Sequence, residues 1–343
     1  MIGPTLVRLL DPRPLSEAEA RAVFERLLDP VATELDRVAV LVALAARPIE
    51  AAELVAFARE MRRRAEGFEV PSRDAPIDLC GSGGARTPSF NISTVSAFVV
   101  AAGGVPVVKH GNRSSRGLCG SSDLLEALGL PVTTSQAFGR ESYRARRLAF
   151  LHAPLYHPAT RAVAEARKAV GIPTIFNRLG PLSNPARVPH QLAGAADVPL
   201  ARTFALALRR LGVTGGATMA SEDGSDEFSP VTPTEVFVWA GSWARRTTVD
   251  PTKHLPPEER RGAWSPLRPA QAAREAERIL QGGTGARRGS VLLTSGTAFW
   301  LTGRADSISA GVERAREVIE SGSAAEMLDD LRELARPYRR GAK

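Results

Sequence analysis

The sequence predicts an α/β fold, with a helical N-terminal segment followed by a larger domain built on a mainly parallel central sheet flanked by helices. Two patterns carry this expectation. Over residues 1–70, apolar positions recur only at helical spacing. From residue 76 onward, strand-like and helix-like runs alternate, as they do when parallel strands are joined by crossover helices.

Taken in order, Ser16 and Glu19 form a capping box ahead of Val23, Phe24, Leu27 and Leu28. A second apolar run, Leu35 to Ala45, stops at Arg47-Pro48. A third helix begins near Ile49 and carries Leu54, Phe57, Ala58 and Met61 on one face. These faces read as core or as a dimer surface and carry no chemistry. Residues Val70 to Pro76 read as a linker. Ile77–Cys80 and Val105–Val108 then read as strands, and Ser93–Ala102 and Asp123–Leu128 as helices. Residues 158–185 turn helical and proline-bounded again. The final third returns to α/β, with a polar, proline-rich stretch over Thr252–Pro269 that is expected to be mobile. There is no internal repeat.

At 343 residues with 43% apolar content, the chain has room for two domains and a sizeable core. No apolar run reaches membrane-spanning length, and the first fourteen residues lack the regions of a signal peptide. Two cysteines, Cys80 and Cys119, do not make a disulfide framework and read as packed neutral thiols. A soluble, cytoplasmic protein is expected. The formal charge of +8 favours anionic partners. The arginines are spread along helices (Arg59, Arg62, Arg63, Arg64; Arg144, Arg146, Arg147), and no nucleic-acid motif accompanies them.

The densest signal is Asp78-Leu79-Cys80-Gly81-Ser82-Gly83-Gly84, followed by Ser89-Phe90-Asn91-Ile92-Ser93-Thr94. A strand runs into a glycine turn and then a helix start, where backbone N–H groups and the helix dipole favour an anion. Asn91, Ser93 and Thr94 add polar side chains at that start. The string is a phosphate cradle, but neither a P-loop nor a dinucleotide fingerprint. The next strand ends in Lys109-His110-Gly111-Asn112-Arg113, and ligands of open α/β sheets collect beyond such strand ends. Asp226-Glu227, after a glycine and before Phe228-Ser229-Pro230, is a carboxylate pair of the kind that holds Mg²⁺, though two adjacent acids also suit a solvated turn.

These segments resemble the anthranilate phosphoribosyltransferase family, tryptophan-pathway enzymes among the class III-like phosphoribosyltransferases. The resemblance continues through His157-Pro158-Ala159, through Thr174 to Ala186 with its Phe176-Asn177-Arg178-Leu179-Gly180-Pro181 core, through Glu222 to Pro230, and into a helix near Ala305 to Ser321. It covers nearly the whole chain in order. It implies a small discontinuous all-helical domain, residues 1–70 joined in space by about 158–187. Residues 76–157 and 188–343 would form the α/β domain that binds phosphoribosyl pyrophosphate.

The resemblance implies transfer of a phosphoribosyl group to the amine of anthranilate with release of pyrophosphate. Such a reaction asks the protein mainly for position and electrostatics. It implies Mg²⁺ held by Ser93, Asp226 and Glu227. It places Gly81, Gly84, Ser89, Asn91, Ser93, Thr94, Lys109, Arg116 and Ser121 on phosphoribosyl pyrophosphate, and Gly81, Asn112 and Arg167 on anthranilate. A guanidinium suits a benzoate carboxylate, although Arg167 also reads as a helix-surface arginine. His110 has two readings, orienting substrate or capping its loop, and the sequence favours neither; Lys109 and His110 are the only side chains offered to the chemistry itself. His157 reads as structural. A homodimer through the N-terminal helices is the family's assembly.

The chain also departs from the family pattern. Ala85 stands where the glycine loop normally ends in an acid, with Arg86 next to it. Ser114-Ser115-Arg116-Gly117 displaces two phosphate-binding serines and introduces an arginine. Arg86 and Arg116 are therefore expected to share in neutralising pyrophosphate. Ala220-Ser221 replaces the His-Gly that usually precedes the acidic loop, and Leu293-Thr294-Ser295-Gly296-Thr297 stands at what is read as a helix start. The same motifs leave open a different aromatic amine or base as acceptor, and a non-catalytic relative that binds nucleic acid through its basic surface.

Overall fold

The computed structural model describes residues 2–82, 90–114, 118–262 and 265–339. Gly84, Ala85, Arg86, Ser89 and Arg116, named above for the phosphate site, lie outside those residues.

Four helices come first: α1 (Gly3–Leu10), α2 (Glu17–Leu28), α3 (Glu34–Ala45) and α4 (Ala51–Arg63). The Ser16 capping box forms, with Ser16 N donating to Glu19 Oε2 at 2.8 Å and Glu19 N to Ser16 Oγ at 3.3 Å. Thr33 and Asp36 cap α3 in the same way. The short α1 carries no sequence signal of its own; it has no side-chain cap and is held by packing against α3.

The sheet has seven strands in the order β3-β2-β1-β4-β5-β6-β7: β1 (Ile77–Cys80), β2 (Val107–Gly111), β3 (Leu148–His152), β4 (His190–Gly194), β5 (Gly215–Ser221), β6 (Thr234–Ala240) and β7 (Trp243–Val249). Pairs from β3 to β5 are parallel, and β6 and β7 are added antiparallel. The chain leaves β1 toward β2 on one side and returns to β4 on the other. The strand order thus reverses at β1, where the carboxyl ends open a crevice.

Between these strands lie α5 (Ile92–Ala102), α6 (Ser121–Ala127), α7 (Gln136–Arg146), α8 (Ala153–Tyr156), α9 (Ala164–Val170), α10 (Ile175–Leu179) and α11 (Val198–Arg210). After the sheet come α12 (Pro269–Leu280), α13 (Ala286–Leu301), α14 (Ile308–Glu320), α15 (Ser323–Leu334) and α16 (Arg336–Arg339). Helix α5 is buried from Ile92 to Ala101, between the sheet and helices α13 to α15. A buried leucine or phenylalanine contributes about 1.5–3 kcal/mol relative to exposure, so this side of the sheet is a large part of the stability. The second core joins α1–α4 to Val163, Ala166, Ile175, Phe176, Leu179 and Leu182, and reaches α11 through Phe204 and Leu208.

Three sequence expectations shift. The second strand starts at Val107 rather than Val105, because Pro106 has no N–H to give a ladder, so Lys109 and His110 are strand residues. The helix expected at Asp123 starts at Ser121. Leu293–Thr297 lies in the buried middle of α13, not at its start; a Cβ on Gly296 would come within 2.6 Å of Val312 N, so that stretch is where α14 crosses.

Within the proline-rich stretch expected to be mobile, Glu259 is an anchored point. Glu259, only 1% exposed, takes Arg288 Nη1 at 3.0 Å and Arg316 Nη1 at 2.8 Å. Among the described residues, no helix is long and apolar enough to cross a membrane. The arginines noted above are not a basic stripe. Arg59 pairs with Glu17, Arg63 and Arg64 with Glu60, and Arg146 with Asp330. Arg62 is inside, donating to the carbonyls of Leu182 and Leu211.

Breaking a buried ion pair from one side leaves its partner uncompensated. Glu259→Ala is therefore expected to lower the unfolding free energy by about 3 kcal/mol. Urea denaturation checks it, and a loss below about 1 kcal/mol contradicts the anchor.

Candidate active site

The glycine turn and the acidic turn are 145 positions apart (226 − 81) and meet face to face. Ser82 Oγ donates to Asp226 Oδ2 at 3.0 Å, and Ser93 N, on the first turn of α5, donates to Glu227 Oε1 at 3.2 Å. A Cβ on Gly81 would lie 2.8 Å from Asp226 Oδ2. At the end of β4, a Cβ on Gly194 would fall 1.6 Å from Asp226 O, so only glycine lets the acidic turn seat there. Sequence reasoning missed Gly194, since one glycine ending a strand carries no signal by itself.

The acidic turn is shaped by Ser221, one of the chain's departures from the family pattern. Ser221 Oγ donates to Glu227 O at 2.7 Å, accepts from Ser229 N at 3.2 Å, and lies 2.6 Å from Thr234 Oγ1. Ser290 Oγ donates to Phe228 O, and Phe228 is fully buried beneath the turn. One hydroxyl thus fixes the turn's two ends.

Lys109 extends from β2 between the two turns, its Nζ donating to Leu79 O and, at 3.2 Å, to Ser93 Oγ. Behind it, Asp78 is fully buried on β1. Its Oδ1 accepts from His110 N at 3.2 Å and its Oδ2 from Asn184 Nδ2 at 2.9 Å. Burial, only partly offset by Lys109, pushes the Asp78 carboxyl up to about 6. Burial and the neighbouring Asp226 charge push Glu227 up to about 7. Glu227 Oε2 is buried with no hydrogen-bond partner among the described residues.

The other end of the crevice is cationic and aromatic. The Arg167 guanidinium lies over the Phe176 ring at 5.2 Å, and desolvation lowers its pKa. Among the described residues it pairs with no carboxylate. His110 Nδ1 is 3.2 Å from Gly180 O; since a carbonyl only accepts, Nδ1 carries the proton and Nε2 keeps its lone pair. His157 packs against it with ring centroids 5.1 Å apart. His157 was expected to be structural, yet it lines the crevice.

All of this opens on one cavity of about 360 Å³. Of the residues expected at the site, Gly81, Asn91, Ser93, Thr94, Lys109, His110, Asn112, Ser121, Arg167, Asp226 and Glu227 line it. Gly84, Ser89 and Arg116 lie outside the described residues. Asn91 Nδ2 donates to Cys119 O at 3.0 Å, joining the rims, and Ser121 Oγ to Asn112 O at 3.1 Å. Arg113 is occupied by Asp123 and Glu126. Cys80 and Cys119 also line the cavity; burial raises both thiols, Cys119 to about 12, and keeps them neutral. Met61 and Phe176, from helical segments before and after β1, complete the wall. Met61 reads in the sequence as an ordinary core residue, because apolar spacing does not separate a wall from a core.

A family model described as "Glycosyl transferase family, a/b domain" matches residues 73–325, and one described as "Glycosyl transferase family, helical bundle domain" matches residues 4–65. Among curated proteins, an anthranilate phosphoribosyltransferase of Syntrophobacter fumaroxidans is 38% identical over 335 residues, covering 96% of this chain and 98% of that protein. One from Lacticaseibacillus paracasei is 37% identical over 331 residues, covering 96% of each. Among solved structures, the anthranilate phosphoribosyltransferase of Thermus thermophilus superposes with a TM-score of 0.86 at 34% identity, over 97% of this chain and 99% of that one. The Saccharomyces cerevisiae enzyme "in complex with PRPP and Mg" superposes at 0.84 and 24% identity, over 98% of each chain, and shows the shared fold.

Burial holds three histidines neutral, depressing His110 to about 3 and His152 and His157 to about 4. Each contributes stability that is present above the unfolded value near 6.5 and is lost as pH falls toward the folded value. Burial lowers His190 and His254 in the same sense, while Asp78 and Glu227 are raised and act oppositely, so near pH 5.5 the unfolded chain binds more protons than the folded one. Unfolding free energy should fall by at least on the order of 1 kcal/mol per pH unit between pH 6.5 and 5.5, and His157→Gln should make that slope shallower. Urea midpoints at the two pH values decide it; a wild-type midpoint that holds or rises on acidification contradicts the balance.

Proposed function

The chain belongs to the anthranilate phosphoribosyltransferase family, and on that premise we propose that it transfers the phosphoribosyl group of phosphoribosyl pyrophosphate to the amine of anthranilate, releasing pyrophosphate. The observation that carries this reading is a single cavity with two chemically different ends. Gly81, Ser93, Asp226 and Glu227 form one end, and Arg167 stacked on Phe176 forms the other.

Mg²⁺ fits the first end. The donor set is hard oxygen, and the buried Glu227 Oε2 has no protein partner among the described residues. Among those residues there is no cluster of three or more His, Cys, Asp or Glu side chains suited to a metal. A pair of acids suits a cation that takes its remaining ligands from substrate phosphate and water. Asp226, Glu227 and Ser93 would hold it, and when bound it would offset charge on the departing pyrophosphate.

The remaining roles follow from the protein's own groups. Gly81, Gly84, Ser89, Asn91, Thr94, Lys109, Arg116 and Ser121 bind phosphoribosyl pyrophosphate. Lys109 brings a buried positive charge to the strand end where the leaving group collects. Arg167 takes the anthranilate carboxylate in bidentate fashion, with Asn112 and Gly81 beside it. The neutral His110 presents its Nε2 lone pair toward the acceptor amine. The ribose C1–oxygen bond breaks with its electron pair leaving on pyrophosphate, the amine lone pair closes on C1 from the opposite side, and the new nitrogen then gives up one proton to water. Positioning supplies most of the acceleration.

Two further proposals accompany this one. Residues 1–70 and 158–187 act as one helical domain against the rest; their common core supports it. The protein works as a cytoplasmic homodimer through its N-terminal helices. Val7 and Leu10 on α1, and Leu35 and Val42 on α3, are apolar and exposed in the single chain, which supports that surface.

Anthranilate fluorescence should fall when phosphoribosyl pyrophosphate and Mg²⁺ are added together, and absence of turnover overturns the proposal. Arg167→Lys should raise KM for anthranilate at least tenfold (~1.4 kcal/mol) while leaving KM for phosphoribosyl pyrophosphate within twofold. Light scattering should give twice the 36.6 kDa chain mass, and a monomer mass rejects the dimer.

A further inference from the structure

A buried serine–histidine pair lies just outside the cavity and none of the roles above uses it. Ser122 Oγ and His152 Nδ1 are 2.9 Å apart, and the two residues are 2% and 7% exposed. Ser122 is the second residue of α6 and His152 the last of β3. The pair therefore links a helix to a strand that β2 separates from the crevice-forming β1.

Its neighbours on both sides belong to the cavity wall. Ser121 and Asn112 line the cavity, and they are joined because Ser121 Oγ donates to Asn112 O at 3.1 Å. Ser122 N donates to the same Asn112 carbonyl at 3.2 Å. Gly111, the residue that pairs with His152 in the β2–β3 register, is where Ser121 comes closest; a Cβ there would lie 2.2 Å from Ser121 Oγ. On the other side, Ala153 and Pro154 follow His152 directly and line the cavity. Other ties hold α6 as well: Leu124 and Leu125 are buried in the main core, and Ser114 N and Gly120 N donate to Asp123 Oδ2 at 3.1 and 2.9 Å. Asp123 and Glu126 hold Arg113 on the exposed side, where ion pairs are weak and screened. The Ser122–His152 bond is a buried, directional restraint beside the apolar packing of Leu124 and Leu125, and a buried hydrogen bond left half-made costs more than a surface pair.

We propose that Ser122 and His152 are a positioning pair: their hydrogen bond fixes the rotation of α6 so that Ser121 faces the substrate phosphate, and holds the Ala153–Pro154 rim at a set distance from it. This rests on the reading of Ser121 as a phosphoribosyl pyrophosphate contact. A neutral imidazole makes this bond with Nδ1 as either donor or acceptor, and burial keeps His152 neutral, with its pKa lowered to about 4. Asparagine places an amide atom close to the imidazole Nδ1, whereas phenylalanine keeps the ring volume and removes the bond.

The experiment compares Ser122→Ala, His152→Phe, His152→Asn, the Ser122→Ala/His152→Phe double variant and Ser121→Ala by steady-state kinetics on the full-length protein, with a thermal melt for each. Ser122→Ala and His152→Phe should each raise KM for phosphoribosyl pyrophosphate five- to tenfold with kcat and KM for anthranilate within twofold. His152→Asn should restore KM, and the double variant should be no worse than either single one. If Ser121→Ala raises that KM and the pair variants leave it unchanged, the pair has no positioning role and the proposal falls, with the functional reading intact. If Ser121→Ala also leaves it unchanged, the assignment of Ser121 fails and takes the proposal with it. If the pair variants lower the melting temperature and move all three kinetic parameters together, without rescue by asparagine, the pair is only structural and the proposal is overturned.

Discussion

The site depends on one constraint: two segments far apart in sequence must approach so closely that glycine is needed at Gly81 and Gly194 where they meet. Gly81 has no Cβ because Asp226 Oδ2 occupies the space where one would sit, and Gly194 has none because the Asp226 carbonyl is there. The acids are consequently pressed into a buried position where they repel each other. That repulsion and desolvation raise Glu227, while Lys109 and the first N–H groups of α5 oppose them. A buried acid pair opposed by Lys109 and a helix N-terminus suits the binding of a metal–diphosphate.

The fold supplies the constraint through its topology. Because the strand order reverses at β1, the ends of β1, β2, β4 and β5 converge on one crevice, and each contributes a single element. The glycine turn follows β1, Lys109 and His110 end β2, Gly194 ends β4, and Ser221 ends β5 just before the acids. The helical segment around Arg167 and Phe176 closes the crevice from the side, through a core it shares with α1 to α4. On the proposed roles, leaving-group electrostatics and acceptor recognition would fall to different parts of the fold. Relative movement of those parts is a natural way to admit substrates and exclude water.

Much of this was legible in the chain, and the exceptions have physical reasons. The glycine-rich turn, the Lys109–Arg113 strand end and Asp226-Glu227 are local strings whose residue types carry their chemistry, so they stood out. Ser221 did not, because its role is made by partners eight and thirteen positions on, Ser229 and Thr234, and the sequence showed it only as a departure from the family pattern. Gly194 did not, because the clash it avoids is with a residue 32 positions later (226 − 194). Ser122 and His152 look ordinary until β3 is laid beside β2. The antiparallel β6–β7 hairpin and the late start of β2 were missed for a simpler reason: short apolar runs do not fix strand direction or ends.

The most direct measurement is calorimetric titration of phosphoribosyl pyrophosphate into the protein, with Mg²⁺ and with a chelator, for the wild type and for Asp226→Asn/Glu227→Gln. If the two turns together grip a magnesium-bound diphosphate, Mg²⁺ tightens binding at least tenfold in the wild type, and the double variant loses that increment while staying folded. Equal affinity with and without Mg²⁺ in the wild type, or an undiminished increment in the variant, contradicts the account.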